Sequence, residues 1–147
     1  MTVRLYRSTD AGAPQLGTTN DGSLAIILKA CLVTGYGAKT AAGWTVEWES
    51  GSQVAFKMGV AGSGQILVVD DTYDYRYAKV FACSAITDMS TVTEKYPEDP
   101  ANPTYDNTWY KRYNTSSTHN EWAVIASDTF IYWFQPPTTD SNYIANE

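Results

Sequence analysis

Apolar and polar positions recur with two different periods along this chain, and each period predicts an element. Leu24, Ile27, Leu28, Cys31 and Leu32 fall at i, i+3, i+4, i+7 and i+8, the stripe of an amphipathic helix. Asp21 or Ser23 is placed to cap its start by accepting a free backbone N–H, and Gly35 to end it in a left-handed conformation. Beyond Gly35 the period drops to two. Trp44, Val46 and Trp48 alternate with Thr45, Glu47 and Glu49, then Ser50-Gly51-Ser52 turns the chain. Val54, Phe56 and Met58 resume the alternation against Gln53, Ala55 and Lys57, which predicts an antiparallel hairpin with one wet face. Gln65 to Asp70 reads as a further strand. From Tyr75 to Ala85, the alternation sets Tyr77, Lys79, Phe81 and Cys83 on one face and Ala78, Val80 and Ala82 on the other.

The same period returns in Trp109–Tyr113, Trp122–Ala126 and Phe130–Phe134. The last of these is apolar on both faces, so it is expected in the middle of a sheet or beneath a partner. Thr2 to Arg7 reads as a short strand or an extended arm. The intervening segments carry loop compositions: a possible N-terminal arm over 1–20, a long excursion over 86–107 holding Pro97, Pro100 and Pro103, and a polar C-terminal tail over 135–147. The sum is an α+β domain spanning 1–147, a mostly antiparallel sheet of about six or seven strands with one N-terminal amphipathic helix packed on it.

Composition narrows the possible functions. The 147 residues are 44% hydrophobic and 18% charged, enough apolar material for one core without a metal or disulfide scaffold. The net charge of −6 argues against non-specific nucleic-acid binding, since phosphates would be repelled. There is no apolar run of membrane-spanning length and no basic-then-apolar leader at Met1, so a protein made and kept inside a cell is expected. In that setting Cys31 and Cys83 are expected as reduced, buried thiols.

Candidate chemistry is sparse. Gly35-Tyr-Gly37-Ala-Lys39-Thr40 ends like a phosphate loop, but Ala38 separates glycine from lysine and the segment follows a helix instead of opening one. It reads as a helix stop, and Gly59, Gly62 and Gly64 as a hairpin loop. Asp70, Asp71 and Asp74 lack the spacing of a Ca²⁺ loop and read as an acidic turn solvated by water. His119 is the sole imidazole, set in a polar run, and no nucleophile elbow accompanies it. Glu47, Glu49, Asp70 and Asp71 could formally pair as acid and base, but outward carboxylates on a strand read as its wet face. No enzyme, metal, cofactor or small-molecule substrate is expected. The excess lies in the aromatics, with five tryptophans and eleven tyrosines, residues favoured at interfaces because they bury much area at low entropic cost. The expected partner-binding residues are Tyr6, Arg7, Trp109, Tyr110, Tyr113 and Trp133. Aromatic platforms also stack on sugars, which keeps a carbohydrate-binding module as a rival, with Trp109 and Trp122 as its platform.

Several segments carry a resemblance. Tyr6-Arg-Ser-Thr-Asp-Ala-Gly-Ala-Pro14, Ala30-Cys-Leu-Val-Thr-Gly-Tyr-Gly37 with Ala41-Ala-Gly-Trp-Thr45, Val69-Asp-Asp71 and Trp122…Ser127-Asp-Thr-Phe130 resemble a small virion structural protein of tailed bacteriophages. The resemblance implies a head decoration (cement) protein, or a tail, baseplate or fibre-associated subunit, assembled in the bacterial cytoplasm and present in repeated copies. It implies as partners the major capsid protein or tail proteins and copies of the chain itself, and it carries over no catalytic or binding residue. An acidic face suits a shell exterior better than a DNA-facing interior.

Overall fold

The computed structural model describes residues 2–17, 22–72, 77–98, 108–111 and 121–135. In chain order the elements are β1 (Arg4–Arg7), α1 (Ser23–Lys29) with a π-helical continuation (Ala30–Thr34), β2 (Thr45–Ser50), β3 (Gln53–Lys57), β4 (Ile66–Asp70) and β5 (Tyr77–Cys83). They continue with β6 (Ala85–Asp88), β7 (Thr91–Thr93), β8 (Thr108–Tyr110), β9 (Ala123–Ala126) and β10 (Ile131–Phe134). The described strands number ten in three antiparallel sheets, ordered β2-β3-β4-β5-β8, β1-β9-β10 and β6-β7, where six or seven strands in one sheet were expected. No helix among the described residues is long and apolar enough to cross a membrane.

The five-stranded sheet is the middle layer, because both of its faces are apolar. Val54, Phe56, Leu67, Val69, Ala78 and Val80 serve one cluster, and the alternate residues Ala55, Ile66, Val68, Phe81 and Cys83 serve another. The first face is covered by Leu24, Leu28 and Leu32 from the helix and by Tyr6, Val124 and Ala126 from the three-stranded sheet. The second face is covered by Ile86, Met89 and Val92 of the β6–β7 hairpin. The expected facing of β5, with Ala78 and Val80 opposite Phe81 and Cys83, is what forms.

The helix differs from its expected stripe. Ser23, Leu24, Ala25, Ile27 and Leu28 are all buried and Ile26 is exposed, so it has no broad polar back. Its N-cap is Gly22, in a left-handed conformation, with no local side chain capping it. Asp21, the other expected cap, lies outside the described residues. From Ala30 the winding widens, and the Gly35 N–H donates to the Ala30 carbonyl five residues back at 2.8 Å. The carbonyls freed by the wider turn accept from the incoming chain: Cys31 from the Ala42 N–H, and Leu32 from Gly43 and Trp44. Gly35 does end the element, at φ 77° and ψ 173°, where a side chain would collide with the Lys39 carbonyl.

The expected β2–β3 hairpin is present, with a bulge between Val46 and Trp48. The extra residue reverses the parity, so Trp48 leaves the face of Trp44 and Val46 and packs with Phe81 and Ile86 on the other side. Two further expectations are corrected. The 86–107 excursion is not all loop, since Ile86 and Val92 pair across β6 and β7, and its residues 99–107 lie outside the described set. The 1–20 arm is not free either: β1 pairs with β9, and Tyr6 and Leu16 are fully buried, because two large apolar side chains recover more from burial than from reaching outward. The tail from 136 lies outside the described residues.

Candidate functional site

The three-stranded sheet has one row of side chains turned into the core and the next turned out. Tyr6, Val124 and Trp133 lie abreast on the inner side. Tyr6 donates its hydroxyl to the Thr40 carbonyl at 2.8 Å, and burial pushes that phenol up to about 12. Trp133 stacks on buried Trp122 at 6.3 Å with 16° between the planes. Trp122 in turn donates its indole N–H to the Pro14 carbonyl.

The outward rows are Leu5–Ile125–Tyr132 and Arg7–Ala123–Phe134. Leu5, Tyr132 and Phe134 are 38%, 59% and 47% exposed, and Val3 extends the strip beyond Leu5. Phe130, Tyr132 and Phe134 form a continuous ring row, with centroids 5.5 and 6.4 Å apart. Beside Phe134 lies an open cleft of about 330 Å³, lined by Arg7, Ser8, Glu121, Trp122 and Gln135 among others. Among the described residues, the Gln135 carboxamide and the Trp133 indole N–H are buried without a hydrogen-bond partner. The outer surface therefore combines exposed apolar area with one guanidinium, which suits a polypeptide partner.

Among the described residues β10 is an edge strand, so of the two placements expected for it, the middle of a sheet or beneath a partner, the first does not hold. One face is apolar because it fills the core and the other because it is left open. Of the six expected contact residues, Arg7 is exposed on the outward row and Tyr110 is 40% exposed at the far end of the five-stranded sheet. Trp109 and Trp133 are partly buried against the main core, and Tyr113 lies outside the described residues. Tyr6 is withdrawn as a contact, since it has no accessible surface. Trp122 is likewise too buried to serve as a sugar platform. Tyr132 and Phe134, which the reading of the sequence did not select, carry the open face.

Potential chemical groups are engaged elsewhere. Glu47 pairs with Lys57 at 3.1 Å and Glu49 with Lys29 at 2.6 Å. Asp70 folds back on the Thr72 N–H and hydroxyl. Cys31 and Cys83 are free and buried, and burial pushes both thiols up. Asp74 and His119 lie outside the described residues, and among those described no cluster of three or more His, Cys, Asp or Glu side chains is placed to hold a metal.

Asp71 overturns the solvated-turn reading. It is fully buried, and its Oδ2 accepts the Leu24 and Ala25 N–H groups at 2.9 and 3.2 Å, capping α1 from 47 and 46 residues away. Its Oδ1 contacts the Lys111 ammonium, itself buried. Burial pushes the Asp71 carboxyl up, against Lys111 and the two N–H donors, which favour its charged form. No composition rule flags a lysine 40 residues away as its partner.

No family model matches the chain, and no curated protein or solved structure matches it.

Proposed function

We propose that this chain is a non-enzymatic structural component of a tailed-phage particle, a head decoration protein that grips the major shell subunit through the outer face of β1-β9-β10. One observation carries the reading: three short strands turn Tyr6, Val124, Ala126 and Trp133 into the core and leave Leu5, Tyr132 and Phe134 apolar and exposed on the opposite face. Apolar area recovers about 25 cal/mol per Å² on burial, so a strip of this size supports a modest contact per copy. Repetition over a symmetric shell raises modest contacts to firm attachment. The resemblance of the N-terminal block and of Trp122…Phe130 to small phage virion proteins supplies the setting. Arg7 on the outward row favours a partner surface that is apolar and places a carboxylate beside this guanidinium.

The test is mass spectrometry of purified particles of the encoding phage. Multiple copies per particle are expected, with Tyr132→Ser/Phe134→Ser chains lost from particles while remaining folded. Absence from particles overturns the proposal. Recovery with tail fragments instead of heads moves the chain to the tail. Retention of wild-type chain on a glycan array, lost with Tyr132→Ala, replaces it with host-surface sugar recognition.

A further inference from the structure

Asp71 and Lys111 are the two charged side chains with almost no solvent exposure among the described residues, 0% and 1%. Asp71 immediately follows β4 and Lys111 immediately follows β8, strands that flank β5 and share no backbone hydrogen bond. The amine touches one carboxyl oxygen, and the other oxygen is held by two backbone N–H groups.

We infer that Lys111 and Asp71 condense into an internal amide, an isopeptide bond that staples β4 to β8 across the end of β5. The ammonium first passes a proton to the touching carboxylate, since burial disfavours two separated charges and a neutral amine beside a neutral acid carries none. The Nζ lone pair then attacks Cγ and the Nζ–Cγ bond forms. Negative charge develops on Oδ2, where the Leu24 and Ala25 N–H groups already point. The Cγ–Oδ1 bond breaks, and Oδ1 leaves as water with two of the protons the amine began with. An ammonium and a carboxylate thus give one amide and one water, and no oxidant or co-reactant is consumed. Fixed juxtaposition in the core replaces a bimolecular encounter. The product keeps both N–H bonds to its carbonyl oxygen and removes two buried charges. The particle assignment is not needed for this step.

Intact mass of the full chain under denaturing, reducing conditions tests it. The expected value lies about 18 Da, one water, below the sequence mass of 16.2 kDa for whichever N-terminus is present. Fragmentation of a proteolytic digest should yield a branched peptide joining Asp71 to Lys111. Lys111→Arg, which keeps the charge, should return the full mass. The full sequence mass in the wild type means an ion pair only and overturns the inference. A linear, dehydrated Asp71 peptide, or the same loss persisting in Lys111→Arg, overturns it equally.

Discussion

The five-stranded and three-stranded sheets are built from similarly short, apolar strands, yet one is covered on both faces and the other on one. In the first, alternate residues of β3, β4 and β5 feed two separate apolar clusters, closed by the helix on one side and the β6–β7 hairpin on the other. In the second, alternate residues of β1, β9 and β10 feed one cluster and one open surface. An exposed row of aromatic rings along an edge strand, continued by exposed Leu5 on the same face, is uncommon on an isolated monomer and marks a contact surface. The comparison separates residues that hold the fold from residues whose cost or benefit falls on association.

Substitutions at matched positions sharpen that division. Phe56→Ala, in the doubly covered sheet, should cost about 3–5 kcal/mol in chemical denaturation through the cavity left against the helix layer. Trp48→Ala, turned by the bulge toward the hairpin, should cost less, about 1–2 kcal/mol, with amide exchange speeding up in β6–β7 before the rest. Tyr132→Ser with Phe134→Ser should change stability by under about 0.5 kcal/mol. A loss as large as that of Phe56→Ala would show the outer face to be core and break the comparison. The smallest effect concerns Asp10, which ties the first loop to the Gly35–Thr40 turn. Burial acts to raise this carboxyl, but the Arg7 N–H at 2.8 Å, the Tyr36 hydroxyl at 3.0 Å and Lys39 at 3.3 Å outweigh it and hold it below its usual value of 3.8. A lowered carboxylate stabilises the fold above its unfolded value, and that share disappears as pH falls through the folded one. Asp10→Asn should therefore flatten the decline of stability below about pH 4 and leave the profile near pH 7 unchanged in shape.

What the sequence made legible followed strand period. The β2–β3 hairpin and the facing of β5 were readable because apolar and polar residues alternate cleanly there. The bulge at Glu47 was not, since a single inserted residue leaves the alternation intact on either side while reversing its sense. β10 escaped for a related reason: Tyr132 and Phe134 are as large and apolar as Ile131 and Trp133, so composition names no inner face, and only pairing with β9 decides it. Of the expected contact residues in this sheet, Arg7 lies on the outer face, whereas Trp133 turns inward and its neighbour Phe134 is the exposed one. Tyr6 and Asp71 were misread because their partners, Thr40 and Lys111, lie 34 and 40 residues away, beyond any local pattern.

The two sulfurs sit in different walls, Cys31 in the helix layer and Cys83 behind the hairpin, with the middle sheet between them. Air oxidation of the folded molecule therefore leaves both titratable by a thiol reagent once it is unfolded. Because each is shielded by a separate piece of structure, alkylation rates at the two positions become independent clocks: one ticks when the helix lifts, the other when the hairpin peels away.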